Sequence, residues 1–173
     1  VNSKWSGKEV QKILNEGIRS MLVVDNPVGC LLDRVSSLLF GEASVAVDDG
    51  VFQKQSEYLW RVDSYKQFIA TGVGRNMGSA LPTAIGLSII FPKERFIVLT
   101  GDGGLPLYLG ELALLQDRCH GSILVIHVAD GSLATMREKN LPGTKELCGA
   151  KNDYSQIFAA LGFEVGLFTE VPG

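Results

Sequence analysis

The sequence has few cysteines and no cluster of positive charge, and each shortage argues against a class of function. Its three cysteines, Cys30, Cys119 and Cys148, are far apart and form no Cys-x-x-Cys pair that would suggest zinc, an iron–sulfur cluster or a redox site. An odd number of separated cysteines favours a reducing, cytoplasmic location. The net charge of -3 and the absence of a Lys/Arg cluster argue against nucleic-acid binding.

Long apolar runs are also lacking. Every apolar stretch is interrupted by glycine, proline or charge before the ~20 residues that a membrane span requires, and residues 1–7 lack a signal-peptide pattern. We therefore expect no membrane partner. With 46% hydrophobic and 20% charged residues, the chain is typical of a globular protein, and we expect one domain over residues 1–173. The stop at Glu170-Val-Pro-Gly173 leaves room for an additional C-terminal strand or helix.

Apolar periodicity predicts alternating helices and strands. Before Gln67 we predict a helix capped by Ser6, a strand at 20–25, a turn at 26–29, a helix at 30–40, and mostly loop with short strands at 41–66. After it we predict strands at 67–71, 95–100, 122–129 and 163–168, and helices at 79–90, 107–118 and 154–161. A short helical piece follows Gly131, and a loop covers 139–152. The alternation predicts an α/β fold, a doubly wound, mainly parallel sheet with helices on both faces.

An acidic residue embedded in glycine follows one of the predicted strands. The segment Gly101-Asp-Gly-Gly104 exposes the carboxylate of Asp102 and several backbone amides, which are the groups that a metal-bound diphosphate requires. Asp130 follows the next strand, and adjacent parallel strands would place both carboxylates on one rim of the sheet. Carboxylates are ligands that Mg²⁺ prefers. On its own, Gly-Asp-Gly also occurs as a structural turn.

The residues around Asp102 resemble the diphosphate-binding domain of thiamine-diphosphate-dependent enzymes of the acetolactate synthase, pyruvate decarboxylase and sulfopyruvate decarboxylase group. The matching segments are Met77-Gly-Ser-Ala-Leu-Pro-Thr-Ala-Ile-Gly86, Val98-Leu-Thr-Gly-Asp-Gly-Gly104 and Glu111-Leu-Ala113, in that order. The similarity runs from about Ile69 to Phe163. It implies the thiamine-diphosphate-binding fold, with thiamine diphosphate and Mg²⁺ as cofactors.

The resemblance also implies roles for single residues. Asp102 would be a magnesium ligand together with Asp130 and the carbonyl of Ser132, and Met77 would be the apolar wedge beneath the bent cofactor. Further cofactor contacts would come from the segment 101–104, here called the metal loop, from the backbone just before Met77, and from the loop after the next strand. The residues are Gly101, Gly103 and Gly104 in the metal loop, Arg75 and Asn76 before Met77, and Gly131, Ser132 and Leu133 in the last loop. Gly29 and Cys30 would form a second phosphate-contacting turn, or else an ordinary turn between a strand and a helix.

One departure from the family pattern concerns the second metal ligand. The family usually has two asparagines at the end of the strand after Gly-Asp-Gly, whereas this chain has Ala129-Asp130. An ungapped alignment places Ala129 at the ligand position, and one extra residue in the turn at 119–122 places Asp130 there. We favour Asp130, because alanine has no side chain that could bind a metal.

Other polar residues are interpreted as structural. For His120 and His127 a satisfied structural histidine is favoured over proton transfer, and Glu111 is interpreted as support for the helix after the metal loop. Residues 132–152 occupy the position of a family segment that folds over the cofactor, although their charges are also typical of a solvated surface.

Family enzymes bind the cofactor between two domains, and the resemblance places an activating glutamate on a pyrimidine-binding domain that this sequence lacks. We therefore expect the chain to be one subunit of a split enzyme that acts on a small 2-oxo acid by decarboxylation, with protonation or acyl transfer. The expected partner is a pyrimidine-domain subunit, in a heterodimer or heterotetramer. A fragment of a longer chain, the beta subunit of a 2-oxoacid:ferredoxin oxidoreductase, and a non-catalytic assembly module are the alternatives.

Overall fold

The structure is a computed structural model and describes residues 6–21, 27–70, 76–118, 123–139, 142–143 and 153–167. Within these ranges four strands form one fully parallel sheet in the order β2-β1-β3-β4. The strands are β1 Ser44–Val47, β2 Phe68–Ala70, β3 Phe96–Gly101 and β4 Ile123–Val128.

Seven α-helices lie in the described ranges: α1 Gly7–Met21, α2 Pro27–Leu38, α3 Val51–Leu59, α4 Ala80–Ile90, α5 Leu112–Arg118, α6 Ala134–Glu138 and α7 Ser155–Ala160. Two 3₁₀ segments, Tyr65–Gln67 and Leu105–Glu111, connect them to neighbouring elements. None of these helices combines the length and the apolar character needed to cross a bilayer.

Side chains that alternate along the strands divide the core into two layers. Ala46, Phe96 and Val98 pack on one face of the sheet against α4, the second 3₁₀ segment, α5 and α7. Val45, Val47, Ile97 and Leu99 pack on the opposite face against α2 and α3. Because successive strand residues point to opposite faces, both faces are covered by helices, and the predicted doubly wound α/β fold is confirmed.

Several elements form where the sequence predicts them, for local reasons. At the start of α1 the Ser6 hydroxyl accepts a hydrogen bond from the Glu9 backbone N–H at 3.3 Å, and the Glu9 carboxylate accepts one from the Ser6 N–H at 2.8 Å. This reciprocal cap satisfies two N–H groups that the first helical turn leaves unpaired. By contrast, α4 is apolar on most sides: its buried face packs against the sheet and the second 3₁₀ segment, whereas Ile89 and Ile90 remain exposed.

Other predictions of secondary structure are wrong. In the segment 41–66 a short strand forms as predicted, β1, but the predicted loop contains the helix α3, which the sequence conceals because two of its three buried positions, Gln53 and Ser56, are polar. The predicted turn at 26–29 is helical from Pro27, and Ser20 and Met21 end α1 and form no strand, while residues 22–26 lie outside the description. The predicted helix 107–118 divides at Tyr108, whose backbone angles are not helical.

The last predicted strand is also absent from the described residues 163–167. The Phe163 N–H donates to the Phe158 carbonyl at 3.0 Å and closes a turn after α7, and residues 164–167 are exposed without regular structure. Most of the predicted loop at 139–152 lies outside the described residues.

The order of the strands determines where a ligand can bind. From β1 the chain moves outward to β2 and then returns to the other side of β1 to form β3 and β4. The direction of the connections therefore reverses between the carboxyl ends of β1 and β3, and in open parallel sheets ligands bind in the crevice at such a reversal. Asp48 follows β1 and Asp102 follows β3 at this point.

Candidate functional site

The sheet brings the two predicted acidic residues to one rim. Gly101 at the end of β3 pairs with Val128 at the end of β4, so Asp102 and Asp130 both lie just beyond the carboxyl ends of adjacent strands. The Asp102 Oδ2 accepts a hydrogen bond of 2.7 Å from the N–H of Gly131. The loops after β3 and β4 are therefore joined through the Asp102 carboxylate.

Asp130 shapes its own loop. Its Oδ1 accepts hydrogen bonds of 2.9 Å from both the backbone N–H and the hydroxyl of Ser132. This arrangement is an Asx turn, and it leads into Gly131 with a φ of 70°, a backbone conformation that glycine adopts without strain. Asp130 itself is exposed, so its carboxylate can be approached from solvent.

The second oxygen of Asp102 faces a histidine. Asp102 Oδ1 lies 3.2 Å from His127 Nε2, and the side chains are 13% and 18% exposed. The two atoms are buried, and their separation is that of a hydrogen bond between the imidazole and the carboxylate. Burial lowers the pKa of His127 below its ordinary value, and the charge of Asp102 only partly opposes this effect, which favours a neutral imidazole at pH 7.

In the part of the chain that the structure covers, no group of three or more His, Cys, Asp or Glu side chains could hold a metal. Asp102 and Asp130 offer carboxylates from two neighbouring loops of the same rim. Mg²⁺ takes one or two carboxylates from a protein and completes its shell with phosphate oxygens and water, so these two residues fit an ion of that type.

Three residues predicted to contact the cofactor lie together beside Asp102. A Cβ atom added to Gly103 would lie 2.7 Å from Leu133 Cδ2 and 2.9 Å from Met77 Sδ. The ends of the Met77 and Leu133 side chains therefore lie directly over the backbone of Gly103, and a larger residue there would displace them. The side chain of Met77 is 43% exposed, so an apolar surface remains open to a ligand.

Gly104 and Gly101, the other glycines of the metal loop, make a hydrogen bond and a close packing contact. The Gly104 N–H donates to the Gly101 carbonyl at 3.1 Å and closes the turn, whereas the Gly103 N–H donates to no described residue. A Cβ on Gly101 would lie 2.9 Å from Phe52 Cε1. Of the N–H groups of Gly103 and Gly104, both expected to face a diphosphate, that of Gly103 is therefore the one still able to donate.

Asp48 is a site residue that the sequence interpretation missed. It is 1% exposed, its Oδ1 accepts a 2.9 Å hydrogen bond from the N–H of Ala80, and its Oδ2 accepts one from the hydroxyl of Thr100. A Cβ on Gly104 would overlap the same Oδ2. Burial raises the pKa of Asp48, against the opposing effect of its hydrogen bonds. Its signal was an Asp-Asp-Gly sequence directly after the apolar run of β1.

The remaining predicted residues are less informative. Asn76 is exposed, and its carbonyl accepts a 3.1 Å hydrogen bond from the Ser79 hydroxyl at the start of α4. Gly29 and Cys30 lie in the first turn of α2, and their contact with phosphate stays a prediction. Arg75 and His120 lie outside the described residues.

Comparison with known proteins identifies the family. The model of the family described as thiamine pyrophosphate enzyme, C-terminal TPP binding domain, matches residues 48–172. The chain belongs to this family. The match begins at Asp48, directly after β1, so it includes α3, which precedes the segment from Ile69 on which the sequence resemblance rested.

Curated relatives of this thiamine pyrophosphate enzyme domain are acetolactate synthases. The chain is 32% identical over 99 residues to the acetolactate synthase large subunit of Lactococcus lactis subsp. lactis (strain IL1403), an alignment that covers 57% of this chain and 17% of that protein. It is 27% identical over 138 residues to the catabolic acetolactate synthase of Raoultella terrigena, covering 76% of this chain and 24% of that protein. The chain thus spans about a fifth of the length of these relatives.

A solved structure has the same fold. Benzoylformate decarboxylase from Polynucleobacter necessarius superposes with a TM-score of 0.62 at 17% identity, covering 78% of this chain and 26% of that one. The chain is therefore a domain of a thiamine-pyrophosphate-dependent enzyme related to acetolactate synthases, and it has the fold found in that benzoylformate decarboxylase.

Proposed function

We propose that the chain is the diphosphate- and magnesium-binding subunit of a split, cytoplasmic thiamine-diphosphate-dependent enzyme that acts on 2-oxo acids. The reaction would be decarboxylation followed by protonation or by acyl transfer to an acceptor. The observation that supports the proposal is the position of the Asp102 carboxylate, which lies just beyond the carboxyl end of β3, is held by the N–H of Gly131 and shares this rim of the sheet with Asp130.

Each residue of the rim has a part in this proposal. Asp102 and Asp130 would bind Mg²⁺ together with the carbonyl of Ser132, and the N–H of Gly103 would donate to a phosphate oxygen. Met77 would support the cofactor from the apolar side, next to Leu133. Thiamine diphosphate supplies the carbanion-stabilising chemistry when bound, and the protein supplies binding, orientation and electrostatics.

A second polypeptide would complete the site. More than three quarters of each curated relative described above lies outside its alignment with this chain. We propose that a pyrimidine-domain subunit supplies the activating glutamate and most of the contacts to the 2-oxo acid, in a heterodimer or a heterotetramer with two sites. The same functions carried on one longer chain are the alternative arrangement.

The experiment is a binding titration on the complex of this chain with its pyrimidine-domain partner. We expect Asp102→Ala to weaken Mg²⁺-dependent binding of thiamine diphosphate by more than about 100-fold, because loss of a group that only supports a metal ligand already costs about 10–100-fold. Calorimetric titration measures the affinity, and release of carbon dioxide from a panel of 2-oxo acids measures the reaction.

Glu94→Ala is the matched control. It removes one exposed carboxylate just before the amino end of β3, whereas the site lies at the carboxyl end of that strand. We expect Glu94→Ala to bind the cofactor like the wild type. Retention of full cofactor affinity by Asp102→Ala would refute the metal assignment, and absence of carbon dioxide release from every 2-oxo acid would refute the proposed reaction.

A further inference from the structure

The pairing of two strands places His127 beside Asp102. The ladder between β3 and β4 sets His127 opposite Thr100, and Asp102 follows Thr100 by two residues. Because side chains two residues apart along a strand point to the same face, His127 and Asp102 are diagonal neighbours on one face of the sheet. The position of His127 is therefore fixed by the sheet and does not depend on the loop after β4.

The two side chains lie at hydrogen-bond distance. His127 Nε2 is 3.2 Å from Asp102 Oδ1, and both side chains are largely buried. A carboxylate oxygen can only accept, so Nε2 carries the proton of this hydrogen bond. The ring of Tyr154 packs edge-on against the imidazole with a centroid distance of 5.5 Å, and this contact limits rotation of the imidazole away from Asp102.

The Asp102 carboxylate thus has one donor at each oxygen. The N–H of Gly131 donates to Oδ2 at 2.7 Å, and the imidazole of His127 faces Oδ1. Two donors at two oxygens fix the plane of the carboxylate as well as its direction. Each carboxylate oxygen has two lone pairs, so an ion can bind the same group while both donors stay in place.

The two donors are held by different parts of the fold. Gly131 belongs to the loop after β4, whereas His127 lies within β4, and the next residue, Val128, is paired with Gly101. A movement of the loop after β4 removes the Gly131 donor and leaves the His127 donor in place. His127 can therefore hold the carboxylate before that loop closes.

We infer that His127 is a positioning residue for the metal site: its hydrogen bond to Oδ1 orients the Asp102 carboxylate for the ion, whether or not the loop after β4 is closed. Loss of a group that supports a metal ligand in this way costs about 10–100-fold in metal affinity. This inference rests on the proposed function in one respect, namely that the ion at Asp102 is the Mg²⁺ that holds the diphosphate.

The test is a calorimetric titration with Mg²⁺ alone, without cofactor, on the whole chain in complex with its partner. We expect His127→Leu, which fills the space but has no donor, to weaken Mg²⁺ binding by about 10–100-fold. His127→Gln should restore the affinity to within about threefold of wild type, because its side-chain amide can donate an N–H to the same oxygen. Equal affinity in His127→Leu and wild type would overturn the inference. An equal loss in both variants would also overturn it, since the effect would then come from packing and not from the donor.

The chain offers a matched control in His120, its other histidine. His120→Gln should bind Mg²⁺ like the wild type, and it leaves His127 as the only imidazole of this chain. With ¹⁵N label confined to this chain, the NMR spectrum at about pH 8, above the ordinary pKa of histidine, should show the ring proton on Nε2, and Mg²⁺ should shift the resonance of that nitrogen. This readout does not depend on how His127→Leu folds. A ring proton on Nδ1 would overturn the inference.

The results also separate this inference from the proposed function. Mg²⁺ binding that weakens in His127→Leu and recovers in His127→Gln, without any retention of thiamine diphosphate, would support the positioning role and sink the proposed function. Tight, Mg²⁺-dependent cofactor binding, with the same Mg²⁺ affinity in wild type and both variants, would support the function and overturn the inference.

Discussion

At the scale of single residues, Asp48 connects the two segments that form the site. One carboxylate oxygen accepts from the N–H of Ala80, three residues after Met77, and the other accepts from Thr100, two residues before Asp102. Its contact with Gly104 extends this link to the end of the metal loop. Asp48 is a positioning residue, because it holds the backbone of Ala80 on one side of the site and the hydroxyl of Thr100 on the other. It does not contact the carboxylate of Asp102.

The raised pKa of Asp48 predicts a dependence of stability on pH. Since the folded chain keeps a proton that the unfolded chain releases above about pH 4, Asp48 contributes stability at low pH that is lost as the pH rises through its raised pKa. Asn in its place does not titrate in this range. We therefore expect the free energy of unfolding of wild type, relative to Asp48→Asn, to decrease as the pH rises from 4 to 7, measured by urea denaturation. A constant difference across that range would contradict the assignment.

Asp130 can be tested against Ala129 as the second metal ligand. Asp130→Ala removes both the carboxylate and the Asx turn to Ser132, and we expect Mg²⁺-dependent cofactor affinity to fall by at least about tenfold. Asp130→Asn keeps an oxygen at the same place and can keep the turn, so it should retain most of the affinity. Full affinity in Asp130→Ala, measured by calorimetry, would favour the alignment that puts Ala129 at this position.

At the scale of elements, the glycine turn after β3 depends on close packing against Asp48. Gly104→Ala would place a Cβ into Asp48 Oδ2 and Thr100 Oγ1, and we expect it to lower the free energy of unfolding by about 1–3 kcal/mol. Gly86→Ala is the control, because Gly86 is exposed inside α4 and its Cβ would meet no atom within 4 Å. That variant should gain about 0.5–1 kcal/mol, and thermal unfolding measures both. Equal effects of the two substitutions would contradict this account.

The elements show what the sequence could and could not predict. Strands β2, β3 and β4 and helix α4 were predictable because their apolar patterns are local and end at glycine or proline. Helix α3 was not predictable, because polar Gln53 and Ser56 occupy two of its buried positions. The buried Ser56 hydroxyl is tolerated because it donates a 2.7 Å hydrogen bond to the Gln53 carbonyl.

The candidate site likewise contains residues that the sequence reveals and residues that it does not. Asp102 was recognisable because glycines on both sides mark the end of a strand. The contribution of Asp48 depends on the pairing of β1 with β3 and on the docking of α4, which are 32 to 52 residues away in sequence. The contact between His127 and Asp102 depends likewise on the register of β3 and β4, which no local pattern reveals.

At the scale of the whole molecule, large apolar side chains remain exposed, as the proposed partner subunit would require. Met77 is 43% exposed, and Leu107 in the second 3₁₀ segment is 59% exposed. We expect no measurable release of carbon dioxide from 2-oxo acids by this chain alone, and turnover when the pyrimidine-domain partner is added. Light scattering on the purified complex should give equal numbers of the two subunits, and turnover by the isolated chain would contradict the partner requirement.

The hydrogen bond between Asp102 and Gly131 has a kinetic consequence. Any movement that withdraws the loop after β4 also removes a donor from the carboxylate after β3, and it carries Leu133 away from Gly103 at the same time. In the proposed complex, capture of the cation and closure over the vitamin-derived ligand would therefore be parts of one motion. We expect loading of the apoenzyme in rapid mixing to follow a single exponential whose rate is the same whether the ion or the organic ligand is followed.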